Sequence, residues 1–277
     1  PDSSLKSTFY AYLNRMDTAQ TSTHYSQAFG VLQRFTGQQR AAVSEDLPSP
    51  AKVNLEIWYS RARVFLWLSL LYAIAGLLAF GAGFWYFYRQ PYWLQRTCRW
   101  LKIALIVIFG LHILALFVRG YLAGHLPWAS DYEALLFAGL AGMLAGLILV
   151  RKSPVFLGSA SMSAAVLLFA AHFHFLNPDI FLLPDAFRSP WLAAHKAVST
   201  ASYAFLGISA IAGGISLMLM MFRVPFLRSA LNEILQHIKQ ASEINLTLGL
   251  YLLFSGILLG IIWSSEARGS FWAWEPR

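Results

Sequence analysis

The sequence has 277 residues, of which 57% are hydrophobic and only 12% charged, and its 21 Lys/Arg against 13 Asp/Glu leave a formal net charge of +8. A soluble domain carries about twice that charged fraction, and the mean hydropathy here is +0.53, so the expected class is a membrane protein. The positive residues fall between apolar runs instead of forming one basic face, which excludes a nucleic-acid partner, and Cys98, the single cysteine, excludes an intrachain disulfide and a cysteine-only metal site.

Residues 1–58 differ in kind from the rest. They are rich in Ser, Thr and Gln, and their helical patterns (Phe9–Leu13, then Phe29–Phe35) are short and amphipathic. They read as a water-exposed extramembrane segment, the end of a preceding region. Residues 59–277 hold six stretches long and apolar enough to cross a bilayer, which takes about 20 residues. They run near Val64–Tyr88, Leu101–Val118, Tyr132–Val150, Val155–Phe175, Ala193–Phe222 and Leu246–Trp263. Lipid offers the backbone no hydrogen-bond partner, so the spans must be helical and the fold class is an all-α polytopic bundle. The chain begins at Pro1 and ends just after an aromatic cluster, and it is read as a piece of a longer polypeptide.

Lysine and arginine positions set the expected orientation. One set of connections holds Arg89, Arg96, Arg99, Lys102, Arg151, Lys152, Arg223, Arg228 and Lys239. The opposite loops hold Arg119 and Arg188, with Lys196 at a helix edge. The first set is expected in the cytoplasm. The 119–131 loop, the 176–192 loop and the C-terminal cluster then share the outer side with the N-terminal segment.

Most of the candidate chemistry falls on that outer side. His125 stands in Gly-His-Leu-Pro-Trp128, His172 and His174 at the outer end of the fourth span, and His195 at the start of the fifth. Neutral imidazole is a good haem-iron ligand, and polar groups near bilayer depth are costly. Against this, a histidine at a span end also sits comfortably among headgroups. His195 is the best placed of them. His112 lies within the second span, either functional or hydrogen-bonded to a neighbouring helix. Asp131 and Glu133 are read as caps of the third span's N-terminus. Gly207, Gly213, Gly214, Gly249, Gly256 and Gly260 are read as permitting close helix packing. His24 and His237, in polar context, receive no role.

The last fifteen residues carry the most information. Trp263, Phe271, Trp272 and Trp274 fall within twelve positions, around Gly269 and Ser270. An interfacial aromatic belt explains some tryptophan there. Four large rings packed this densely instead suggest an apolar platform for a planar ligand. Phosphate-cradling glycine loops, HExxH and a supported Ser/His/Asp pattern are all missing from the sequence.

This closing segment resembles the tryptophan-rich WWD segment of the haem-handling proteins of cytochrome c assembly. Trp263, Glu266, Gly269, Phe271, Trp272, Trp274 and Pro276 match its pattern. Glu275 replaces an aspartate, Arg277 a lysine, and Arg268 a tryptophan. Upstream, Arg119 to Glu133 (with His125 and Trp128), Arg151–Pro154, Ala171-His172, Asn177–Ile180 and Ser189–His195 follow in the family's order, so roughly Ile57 to Arg277 is covered. The likeness is greatest to CcsA, above all as fused behind a CcsB (ResB) domain in the system II cytochrome c synthase.

The resemblance implies haem b held at the outer, periplasmic face of a bacterial inner membrane. The cofactor-binding residues would be His195, Trp263, Gly269, Phe271, Trp272, Trp274 and Glu275, with His125, His172, Arg268 and Trp128 as secondary candidates. His195 would be the axial iron ligand before the segment, and the ligand after it would lie beyond Arg277. The implied partners are membrane lipid, an apocytochrome c and a CcsB-like domain or subunit. If active, the chain would be part of a thioether-forming cytochrome c synthase. Two other readings stay open: a polytopic small-solute transporter, and a membrane scaffold without catalysis.

Overall fold

The computed structural model describes residues 2–22, 25–42, 48–89, 92–149, 154–173, 176–180, 189–221 and 228–271. Every regular element among them is a helix: α1 (Asp2–Ser22), α2 (Ser26–Ala42), α3 (Pro50–Ala62), α4 (Val64–Arg89), α5 (Tyr92–Ala123), α6 (Asp131–Leu149), α7 (Pro154–Ala170), α8 (Pro190–Met221) and α9 (Arg228–Arg268). The chain forms two compact units, Pro1–Trp58 and Tyr59–Arg277.

The first unit is a helical hairpin. α1 and α2 bury Ala19 and Ala28, and Phe9 meets Phe35 at 5.8 Å between ring centroids. Thr8 Oγ1 donates to Gln38 Oε1 at 2.8 Å and Arg15 to Gln27 Oε1 at 2.6 Å. Its helices are longer than the apolar patterns predict, because α1 and α2 pack along each other and tertiary packing, more than propensity, sustains them. Ser49 opens α3, accepting the Lys52 amide at 3.3 Å ahead of Pro50 in the first turn.

The second unit is a multi-pass membrane bundle. α4, α5, α6, α8 and α9 are each long and apolar enough to cross a bilayer. The fourth expected span is shorter than predicted: α7 is a 17-residue helix, Pro154–Ala170, followed by turns. The chain leaves the helix there because His172 turns its own Nδ1 back onto the Leu168 carbonyl at 2.8 Å. α7 packs against α4, α6 and α8. Gly158 lets it approach α4 so closely that a Cβ there would lie 2.6 Å from the Phe80 backbone nitrogen. Its serines are spent internally: Ser161 Oγ donates to the Tyr72 carbonyl of α4 at 2.8 Å, and Ser159 and Ser163 bond back along α7.

α9 begins well before the expected Leu246. Its first half is amphipathic, with Leu231, Ile234, Ile238 and Ala241 buried at helical spacing. Lys239 and Glu243 stay in water on the other face, 3.8 Å apart. Ile234, Ile238 and Ala241 join Val155, Phe156 and Ile208 in one core. Ser209 and Ser242 each donate to the other's carbonyl, at 3.1 and 3.2 Å, and clasp α8 to α9. The glycine expectation holds for half of its six positions. Gly249, Gly256 and Gly260 face α8 closely, whereas nothing lies within 4 Å of a Cβ built on Gly207, Gly213 or Gly214. His112 lies fully buried on α5, with Nδ1 3.5 Å from the Tyr72 hydroxyl of α4, so the neighbouring-helix reading fits it.

Candidate haem site

One end of the bundle is built around Arg119. The sequence placed this residue in an outer loop. It is instead the last-but-four residue of α5, with a side chain 3% exposed. Its Nε donates to Glu133 Oε1 at 2.9 Å, and its two terminal nitrogens donate to the Pro178 and Asp179 carbonyls at 3.0 and 3.2 Å. Glu133 Oε2 accepts from the Ala129 and Ser130 amides, while Ser130 Oγ accepts the Glu133 amide at 3.2 Å. That reciprocal pair is a capping box, Ser-x-x-Glu, and it starts α6. Glu133 is therefore a cap, as expected, and also half of a buried ion pair. Tyr132 lies beneath the Arg119 guanidinium, 4.8 Å from ring centroid to Cζ. Tyr59, whose hydroxyl donates to the Ala115 carbonyl at 3.0 Å, is pushed above the usual phenol range by burial, although Arg119 pulls the other way.

The same end gathers α6, α8 and α9. Trp128 donates its indole N–H to the Ala193 carbonyl at 3.0 Å, and Ser189 Oγ donates to Glu266 Oε2 at 3.2 Å. Ser189 and Pro190 form the start of α8, the serine carbonyl accepting the Ala193 amide and the proline in the first helical turn. His195 therefore falls in the second turn of α8. Its Nδ1 lies 2.7 Å from the Gly256 carbonyl of α9, with Ser199 Oγ at 3.4 Å. A carbonyl can only accept, so in the neutral ring Nδ1 carries the proton and Nε2 keeps its lone pair. The ring packs directly over Gly260, where any Cβ would come within 2.9 Å of it.

His195 lines a cavity of about 450 Å³ between α6, α7 and α8. Its walls are mostly apolar, among them Leu135, Ala138, Leu167, Ala204 and Ile208, with Trp128 and Lys196 at the end where α6 and α8 begin. A second cavity of about 310 Å³ adjoins it and shares Trp128 and Lys196; His125 lines this one. His125 donates Nδ1–H to the Leu126 carbonyl at 3.0 Å, and that nitrogen is 4.0 Å from Glu133 Oε2. His172 lines neither cavity and presents its ring to Tyr132 at 6.1 Å. His125 and His195 thus line adjoining cavities, and His172 stands apart from both.

The tryptophan-rich segment is described as far as Phe271. Trp263 follows Gly256 and Gly260 on the same face of α9, one turn nearer its C-terminus. Its indole Nε1 is buried and has no hydrogen-bond partner among the described residues. Arg268 lies over its ring at 5.4 Å. Gly269 ends α9 in the left-handed conformation (φ 71°), its amide bonded to the Ser265 carbonyl at 3.0 Å. Phe271 is exposed. Trp272, Trp274, Glu275 and His174 lie outside the described residues.

Sequence reasoning missed Arg119 as a buried group and Lys196 as a cavity wall. The Ser-x-x-Glu box was a visible signal for Glu133. Nothing local marks the Arg119 partnership or the Gly256 carbonyl, which is 61 residues from His195.

A family model described as cytochrome C assembly protein matches residues 128–277. The protein NrfI of Wolinella succinogenes is 32% identical over 253 residues, covering 91% of this chain; the chain spans 28% of NrfI. The cytochrome c biogenesis protein CcsA of Synechococcus sp. (strain RCC307) is 28% identical over 242 residues, 74% of this chain and 76% of that protein. CcsA of Prochlorococcus marinus (strain MIT 9215) is 27% identical over 204 residues, 64% and 66% of the two chains. With the matched region taking in α6 to α9, the chain belongs to the cytochrome c assembly protein family.

Proposed function

We propose that this chain holds haem b at the outer face of a bacterial inner membrane and presents it for attachment to an apocytochrome c. The observation that carries the reading is His195, with Nδ1 tied to the Gly256 carbonyl, Nε2 left as the ligating nitrogen, and a largely apolar cavity beside it. The residues fit the group. Histidine bound to a metal is commonly oriented by a hydrogen bond from its other ring nitrogen to a carbonyl. The cavity falls in the range of about 300–1,000 Å³ that small-molecule and cofactor sites occupy.

His195 would hold the iron, and the apolar walls would cover the macrocycle and exclude water. Trp263 and Phe271, with Trp272, Trp274 and Glu275, would form the remaining contact surface around Gly269. Trp128, Arg268, His125 and His172 remain the nearby secondary residues. The thiols belong to the apocytochrome. Each adds across a vinyl group, sulfur to one carbon and hydrogen to the other, with no net oxidation. We read residues 1–58 as the end of a CcsB-like region and 59–277 as the haem-handling domain. A small-solute transporter is the weaker reading, because such sites use interrupted helices near the midplane, and the described spans run unbroken.

The purified chain, expressed with ample haem, should carry a Soret band that is lost in His195→Ala. A colourless wild-type protein, or a band that survives the substitution unchanged, overturns the reading. Orientation is checked separately. In a Cys98→Ser background, single cysteines at Asp131 and Lys239 should label from the outside and the cytoplasm respectively. The opposite pattern would reverse the topology and every outer-face assignment.

A further inference from the structure

We infer that Lys196 pairs with a carboxylate of the bound macrocycle and so sets which edge of it faces outward; this rests on the haem reading of the His195 cavity. His195 and Lys196 are consecutive on α8, yet both line the same cavity. Lys196 also lines the adjoining cavity that holds His125, so its side chain stands in the partition between the two. Its ammonium donates to the Ala129 carbonyl, in the turn that precedes α6. The charge is thereby held at the outer end of the cavity, beside Trp128.

Away from that end the walls are mostly apolar. Ala138, Leu167, Ala204, Ile208 and Ile211 follow along α6, α7 and α8. Ser163 lines the wall but donates to the Ser159 carbonyl of its own helix at 2.9 Å. Ser199, Thr200 and Tyr203 of α8 line it as well, so the cavity is mostly, not wholly, apolar along its length and carries the Lys196 cation at one end. Its second charged residue is Asp131, an exposed carboxylate on the rim, where water and salt screen it. The ligand that complements this shape has a broad apolar body and an anionic edge. Haem has both, its two propionates sharing one edge. An ammonium has three N–H donors, and a charge-assisted hydrogen bond from one of them to such an edge is stronger at the border of a low-dielectric site than in water.

Arg268 is the competing cation. It is stacked on Trp263 at the end of α9 and does not line the His195 cavity. Lys196 is adjacent to the ligating histidine, whereas Arg268 is not. An anionic phospholipid shares the required chemistry and is the other possible occupant.

The experiment compares binding of haem and of haem dimethyl ester, whose propionates carry no charge, by absorbance titration of the purified chain in neutral detergent. Wild type should bind haem about tenfold more tightly than the ester, the scale of one charge-assisted hydrogen bond. Lys196→Gln should bind both with the affinity that wild type has for the ester. Lys196→Arg should keep the preference. His195→Ala should weaken both ligands. Unchanged ester binding by Lys196→Gln shows that the variant is folded.

If Lys196→Gln keeps the preference while His195→Ala still weakens both ligands, the inference is overturned and the haem reading stands. Loss of the preference in Arg268→Gln alone assigns the carboxylate to Arg268 and overturns it as well. Equal binding of haem and ester by wild type, with a phospholipid retained by wild type and lost from Lys196→Gln in native mass spectrometry, gives the lysine to lipid. If wild type binds neither ligand, the haem reading falls and takes the inference with it.

Discussion

Arg119→Met should destabilise the membrane bundle by about 3–5 kcal/mol, the range found when one partner of a buried ion pair is removed. The two side chains are only 3% and 2% exposed, so no water replaces the lost guanidinium. The loss is more than one contact. Glu133 loses its buried partner, and the Pro178 and Asp179 carbonyls lose their donors. Chemical denaturation in detergent micelles measures the change. The double variant Arg119→Met/Glu133→Leu should recover most of it, because no uncompensated charge remains. It should still fall short of wild type by about 1 kcal/mol, since the capping box at the start of α6 is gone. A single-variant loss below about 1 kcal/mol would mean that Glu133 is hydrated.

The second large effect concerns ligand affinity with little change in stability. Gly260→Ala places a methyl group 2.9 Å from the His195 ring, a distance that ordinary contacts do not tolerate. The ring must tilt, and the 2.7 Å bond from Nδ1 to the Gly256 carbonyl is what it loses. Haem affinity should fall at least tenfold, in line with about 10–100-fold effects of disturbing the group that orients a metal-bound histidine. Alanine meanwhile improves helix propensity by about 1 kcal/mol, so the melting temperature of the haem-free chain should hold or rise. In chain labelled with ¹⁵N-histidine, the His195 ring signals should shift from the single Nδ1–H tautomer toward a mixture. Unchanged affinity and unchanged ring signals would together show that the Gly256 contact does not set the ring.

The membrane-spanning part of the fold was legible because its determinant is local. An apolar run of sufficient length needs no knowledge of its neighbours, so α4, α5, α6 and α8 stand where the sequence put them, within a turn or two except at the N-terminal end of α5. The first half of α9 was not legible as part of a span. Its apolar residues cover one face only, and the core it joins comes from α7 and α8. Arg119 misled for a related reason. A single arginine near the end of an apolar run looks like a loop charge until its carboxylate, fourteen positions on, folds against it. Within the candidate site, His195 was recognisable by residue type and position. Its tautomer was not, because a glycine carbonyl on another helix decides it, and a carbonyl has no signature in sequence. The glycines show the same limit. Gly256, Gly260 and Gly213 look alike in sequence, and only the partner helix tells which of them are needed.

The short α7 has a consequence for the lipid around it. Its 17 residues make about 25 Å at 1.5 Å per residue, against a hydrocarbon core of about 30 Å. Val166 and Phe169, near its C-terminal end, are more than half exposed and offer an apolar face to acyl chains there. A hydrophobic surface shorter than the bilayer draws the leaflet inward rather than expose itself to headgroups. The dip falls beside the wall that α7 gives to the His195 cavity, through Val166 and Leu167. Acyl-chain length thereby becomes a variable of the site: thinner membranes relax the dip, and thicker ones deepen it, bringing the aqueous boundary down toward the cavity without any helix having to move.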